Sequence, residues 1–471
     1  AAPSVTATAG NVALNSTAGI DVSDASITAT NDIEIEAVNA VGLENNKLQG
    51  KNVTISGKGI TVSDNDAVTP TIKATAGGVT LTSTGDGNDV TLTGATLKAD
   101  NTTSGNITIT SARAIEATGG SMTAGKDITL KAENAGITVS GTTLTNKEGN
   151  GGNIDLLAGS VDGTGWSAIE NNALEVTGAT VNAAGAVTAK SGKTDIATSS
   201  ITAGGNVNMT AVGTDGDASH VNVDKSNITG AVVAISGKGI KVDKKEGISE
   251  NTSTITANTG DVTLTTDTNI AVSKAAITAK GKTDLVAVNG INVADTSVTA
   301  TDKGISITST AADSDVTLTS VTLNAENATY GNITVQTGNA IGVNGGSITA
   351  GKDINLKAEN AGITVSGVAL TTIAGNGGNI DLLAGSEGTN GWSAIENNAL
   401  GLTDVTLSAA GAVTGKSGKT DIATSSITTG GNVNMTAVGT SDVTLTNAAM
   451  TAGAAIEINS GKALNVSEGS M

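Results

Sequence analysis

The chain has 471 residues, with 25 Lys plus Arg against 44 Asp plus Glu for a net charge of −19, and it contains no Cys, no Phe, one Tyr and two Trp. That balance leaves no basic face for phosphate backbones or anionic lipid, which disfavours nucleic-acid binding and membrane-surface binding, and the missing Cys excludes a disulfide scaffold and a Cys-zinc site. A core has to come almost wholly from Val, Ile, Leu and Ala, while two prolines, Pro3 and Pro70, leave nearly every backbone amide free to join a ladder.

A hydrophobic fraction of 38% is too high for a disordered low-complexity chain, so a folded protein is expected. No run of 18 apolar residues suggests a transmembrane helix. Ala1-Ala2-Pro3-Ser4 has no charged or apolar leader before it, and the pattern is already running at Val5-Thr6-Ala7 and still running at Leu464-Asn465-Val466. The expectation is a segment of a longer protein, because a solenoid needs capping units at its ends.

In chain order, strands show as two apolar residues two apart after a Gly, Asn or Asp turn: Val12 and Leu14, Ile33 and Ile35, Val53 and Ile55, Val79 and Leu81, Ile107 and Ile109, Ile128 and Leu130, Ile154 and Leu156. The series continues through Val207 and Met209, Val262 and Leu264, Ile305 and Ile307, and Ile354 and Leu356, to Ile456 and Ile458. Spacings of roughly 20 to 28 residues fall in the range of solenoid repeats, and alternation at period two puts one face in and one face out. Shorter strands lie between, as at Gly136-Ile137-Thr138-Val139 and Ser199-Ser200-Ile201-Thr202-Ala203. Two or three short strands per unit predict an all-β fold, a parallel β-helix (solenoid) of about 20 coils, with right-handed coiling the expected hand. Stacked at ~4.8 Å, the coils would make a rod of roughly 95 Å. Aliphatic ladders leave little room for aromatic rings. Asn106, Asn153, Asn206, Asn332, Asn379 and Asn432, each after Gly, predict stacked amides that satisfy turn backbone groups.

A longer period overlies the short one. Gly149 to Ser160 returns letter for letter at Gly375 to Ser386, and Gly165 to Leu174 returns at Gly391 to Leu400, both displaced by 226 residues (149 to 375, 165 to 391). Upstream the displacement is 250 (Gly10 to Gly260), longer by 24, which is one coil. The organisation expected is one continuous β-helix over 1–471. It comprises a first copy of a multi-coil block at 10–213, intervening coils at 214–259, a second copy one coil shorter at 260–439, and further coils at 440–471. Whole coils can be gained or lost because each touches only its neighbours.

Units such as Ser347-Ile348-Thr349-Ala350-Gly351-Lys352-Asp353-Ile354-Asn355-Leu356-Lys357-Ala358 and Gly204-Gly205-Asn206-Val207-Asn208-Met209-Thr210-Ala211 resemble the coil repeats of filamentous-haemagglutinin-like adhesins, exoproteins of two-partner secretion systems. The resemblance spans nearly the whole chain and matches the stalk rather than the tip. The Asn-Pro turns usual in the family's secretion domain are absent, since Pro3 follows Ala2 and Pro70 follows Thr69. It implies export across both membranes and display as a fibre on the bacterial outer surface.

Several residues invite a site. Trp166 and Trp392 hold equivalent positions in the two copies and offer a stacking platform for a sugar ring; the competing and preferred assignment packs each on its own loop, against Ile169 or Leu174 and against Ile395 or Leu400. Acidic turns at Asp64-Asn65-Asp66, Asp86-Gly87-Asn88-Asp89 and Asp215-Gly216-Asp217 have the oxygen spacing of calcium loops but do not recur with the repeat, which favours solvated turns. Outward Thr pairs such as Thr80 and Thr82 resemble ice-binding rows, yet Lys131, Asp155 and Asn208 interrupt them, and β-propensity accounts for the Thr. A polysaccharide lyase or hydrolase would need clustered carboxylates and a base, whereas the single His220 and single Arg113 stand apart. The expected function is therefore the non-catalytic stalk of a secreted or surface-displayed adhesin, with no metal and no cofactor. Its partners would be a cell-surface receptor or glycan, or further copies end to end or side by side. The alternatives are a self-assembling extracellular fibre and a polysaccharide-degrading β-helix enzyme.

Overall fold

The computed structural model describes residues 2–64, 69–85, 89–162, 165–168, 172–213, 220–243, 252–373, 375, 377–388 and 391–468, with the backbone alone at 161–162, 165–168, 387–388 and 391–394. These residues form strands and turns with no helix, hence none long and apolar enough to cross a membrane. The chain divides into two compact units, residues 1–238 with 247–251 and residues 239–246 with 252–471. Each is a parallel β-solenoid, and between them they hold about 18 coils.

A coil of the first unit contains three strands, for example Ile107–Ser111, Ile115–Thr118 and Ser121–Ala124. Each pairs in parallel with its counterparts one coil back and one coil on. Ile107 faces Val79 and Ile128, Ile115 faces Val90 and Ile137, and Met122 faces Leu97 and Leu144. Three ladders give the solenoid three faces. Like stacks on like inside, so Ile107, Ile109, Ile115 and Ile128 are all 0% exposed, each contributing about 1.5–3 kcal/mol by burial. The described core of both units is aliphatic with a few Met, as the composition requires.

The second unit repeats this plan. Ile305 faces Ile333, and Ile333 faces Ile354. Here the strands Val316–Ala325 and Ile341–Ala350 run the second and third faces together without a break.

Corners are made by two devices. Before the first strand of a coil, an Asn or Asp side-chain oxygen accepts the N–H of the residue at the same place one coil on. Asn106 serves Asp127 at 3.1 Å, Asp127 serves Asn153 at 2.8 Å, and Asn153 serves Ala186 at 2.8 Å. In the second unit Asn332, Asp353 and Asn379 do the same at 3.1, 2.9 and 2.8 Å, and Asn432 serves Ala455 at 3.1 Å. Five of the six expected Gly-Asn positions, Asn106, Asn153, Asn332, Asn379 and Asn432, serve in this way, and Asp127 and Asp353 do so equally because only the acceptor oxygen is used.

Between the second and third strands, one residue takes a left-handed conformation, as at Asp24, Thr198, Lys225, Lys274 and Thr424. The residue after it turns inward and is small and buried: Ala25, Ser199, Ser226, Ala275 and Ser425. Where two glycines occupy the corner, the reason is contact as well as φ. Gly120 sits at φ +70, and a Cβ there would lie 2.1 Å from the carbonyl oxygen of Ala95.

The count of about 18 coils agrees with the number expected from sequence, and two of the coils are lengthened. From Ile154 to Val187, and again from Ile380 to Val413, 33 residues separate successive first strands, against 26 from Ile128 to Ile154. The additional chain forms a hairpin.

Candidate functional site

The lengthened coils carry the only antiparallel pairing among the described residues. In the first unit the strand Ile154–Asp162 continues beyond its ladder and folds back as Gly165–Ala168, pairing Val161 with Trp166 and Asp162 with Gly165. In the second unit Ile380–Gly388 folds back as Gly391–Ala394, pairing Glu387 with Trp392 and Gly388 with Gly391. Both tryptophans thus lie on the return strand of a hairpin, at matching register positions. Of the packing partners expected from sequence, Leu174 and Leu400 belong to the core, at 1% and 0% exposure, and Ile169 lies outside the described residues.

The outer face at the base of each hairpin has one composition in both units. Leu157 stands between Lys131 and Lys190 in its ladder, and Leu383 stands between Lys357 and Lys416. Each Leu is only 9% exposed although it points away from the core. Two residues earlier, Asp155 faces Thr129 and Thr188, and Asp381 faces Asn355 and Thr414. Burial pushes the Asp155 carboxyl above its ordinary value, with a smaller push from Asp127, against the Thr188 hydrogen bond and the charges of Lys131 and Lys190. Asp381 is raised in the same way, by burial first and then Asp353, against Thr414, Lys357 and Lys416. The patch therefore offers two ammonium groups and one partly buried carboxyl beside a hairpin, over a covered leucine. Glycoside hydrolysis needs a second carboxyl placed across the scissile bond, and the neighbouring Asp127 already accepts the Asn153 N–H through Oδ1.

Other candidates stay dispersed. Arg113, in the turn before Ile115–Thr118, approaches Asp89 at 3.8 Å, and His220, on the strand His220–Asp224, approaches Asp195 at 3.7 Å. Among the described residues no group of three or more His, Cys, Asp or Glu is placed to hold a metal. Residues 65–66, 86–88 and 215–217 of the acidic turns lie outside the described residues. The Thr pairs do stack, Thr80 on Thr108 and Thr108 on Thr129, before Asp155 ends the row. Sequence reasoning treated Asp155 only as that interruption. Its recurrence as Asp381 at the 226-residue displacement (155 to 381) was the available signal.

Comparison of the chain with models of known protein families, with curated proteins and with solved structures finds no match.

Proposed function

We propose that the chain is a structural stalk segment of a secreted or surface-displayed bacterial adhesin, non-catalytic, and that it acts outside the cell by projecting a receptor-binding region towards another surface. The observation that supports this best is the regular stacking within each unit. Coil after coil is bonded to its neighbours by three parallel ladders, so chain length converts into solenoid length and no separate layer is needed for stability. The polar outward faces and the net charge of −19 suit a solvated extracellular surface and disfavour nucleic acid as a partner. The paired hairpins at Trp166 and Trp392 would then be side contacts to a glycan or to a neighbouring copy, weak singly and useful through repetition.

Electron microscopy of the isolated chain at several concentrations tests the proposal. Single rods near the roughly 95 Å expected from stacking support a stalk. Filaments would favour a self-assembling fibre instead, and a compact particle would overturn both.

A further inference from the structure

In a chain that keeps rings out of its described core, one aromatic residue stands in the open. Tyr330 is 67% exposed, at the edge of a groove of about 610 Å³ on the outer face of the second unit, within the size range of small-ligand sites. The floor is made of Ser, Thr and Gln side chains from two adjacent strands, Ser306 beside Thr334 and Thr308 beside Gln336, presenting carbon as well as hydroxyl and amide groups. Lys303 and Lys282 border it, but each brings its own counter-charge: Asp261 lies 3.2 Å from Lys303 and Asp284 lies 2.6 Å from Lys282. Gln336 also donates to Glu359 at 3.4 Å. The two lysines are thus each matched by a carboxylate and do not make the groove an anion site.

The ring is held on a defined loop. The Asn327 side chain accepts the N–H groups of Thr329 and Tyr330 at 2.8 and 2.9 Å, and its carbonyl accepts that of Gly331 at 2.8 Å. The first unit builds the same loop at Asn101, with Thr103, Ser104 and Gly105 donating at 2.8, 2.9 and 2.8 Å. There Ser104 replaces Tyr330, Gly77 replaces Lys303 and Thr110 replaces Gln336. One copy has kept a backbone frame and the other has placed an aromatic ring and longer polar side chains on it.

The geometry points to a binding site for an uncharged oligosaccharide, one pyranose ring stacking on Tyr330 and its hydroxyls meeting the Ser306, Thr308, Thr334 and Gln336 floor. An aromatic face beside clustered hydroxyl and amide groups matches a pyranose, which has an apolar C–H face and a polar rim. The inference goes beyond the stalk function and does not rest on it.

The test uses the whole chain, a Tyr330→Ser variant that copies the residue of the first unit, and a Trp166→Ser/Trp392→Ser variant that removes the hairpin indoles. Saturation-transfer NMR and calorimetry would be run with maltotetraose, cellotetraose and N,N′,N″,N‴-tetraacetylchitotetraose, and with tetragalacturonate as the anionic comparison. At least one neutral tetrasaccharide should bind the wild type and the Trp variant equally, and Tyr330→Ser should weaken it about tenfold or more. The inference is overturned if no neutral tetrasaccharide binds the wild type, if Tyr330→Ser binds as well as wild type, if the Trp variant alone loses binding, or if only tetragalacturonate binds.

Discussion

The Ser226 hydroxyl oxygen accepts the backbone N–H of Ser199 at 3.0 Å, and the Ser199 hydroxyl oxygen accepts that of Ala179 at 3.1 Å, one coil further back. These residues follow the left-handed corner positions Lys225, Thr198 and Gly178. At such a corner the amide turns into the core, out of reach of water, and a short side-chain oxygen in the next coil satisfies it. Val405 and Ser425 repeat the arrangement at 3.1 Å in the second unit, and Asn46 serves Ala25 at 2.9 Å.

Ser226→Ala should therefore cost more than its size suggests. It leaves the buried Ser199 N–H without this acceptor, a loss of about 1–3 kcal/mol. Denaturant titration should show the midpoint falling, and Ser226→Thr should recover part of the loss because it keeps the hydroxyl. Equal stability of wild type and Ser226→Ala would contradict the corner ladder.

Gly120→Ala and Gly141→Ala separate conformation from contact. Both glycines have positive φ, +67 to +70 at the Gly119-Gly120 pair and +57 at Gly141, but only at Gly120 would a Cβ meet backbone, the Ala95 carbonyl; at Gly141 nothing lies within 4 Å. Gly141→Ala should lose about 1–2 kcal/mol for the left-handed conformation alone, and Gly120→Ala distinctly more, read as the difference between their thermal midpoints.

Asp155 and Asp381 work against folding at neutral pH. Their folded-state carboxyl values are raised by burial above the ordinary 3.8. Each cost is absent below the unfolded value, grows as pH rises through the folded value and is complete above it. Asp155→Asn and Asp381→Asn should each raise the thermal midpoint at pH 7 and leave it little changed at pH 3. A midpoint that falls at pH 7 would mean the ionised carboxyl is needed by the fold.

Asp100 behaves in the opposite sense. Burial pushes its carboxyl up, but the Lys73 hydrogen bond and the charges of Lys98, Lys73 and Lys147 outweigh that, and the net shift is downward from 3.8. The three ammonium groups lie at 3.2 Å (Lys73), 3.6 Å (Lys98) and 3.5 Å (Lys147). Its stabilisation is present above the unfolded value and is lost as pH falls through the folded one. Because the lysines remain well exposed, Asp100→Asn should cost less than about 1 kcal/mol, and the difference should shrink in high salt.

Much of the fold was legible before the structure, for reasons particular residues show. Ile107 and Ile109, Ile128 and Leu130, and Ile154 and Leu156 alternate at period two after each Gly-Asn or Lys-Asp turn, and only stacked parallel strands bury such a series coil upon coil. Asn106 and Asn153 were legible as ladder members because Gly precedes both, whereas Asp127 was not, since sequence alone does not separate an accepting carboxylate from a solvated one. The left-handed corners at Thr198, Lys225 and Lys274 carried no glycine to mark them. They are imposed by the ladders on either side, which hold the corner in place.

The strand period, the aliphatic core, the duplicated block and the position of the two tryptophans can be read from the residues in order. All of these are local or repeated patterns, readable from spacing. That each Trp lies on the return strand of a hairpin, that Lys131, Asp155 and Lys190 share one patch, and that Tyr330 borders a groove floored by Ser306 and Gln336 emerges only from the folded chain. Those neighbours come from different coils, and coil lengths vary from place to place. Which outward side chains meet is therefore set by ladder register, and register exists only once the coils have stacked.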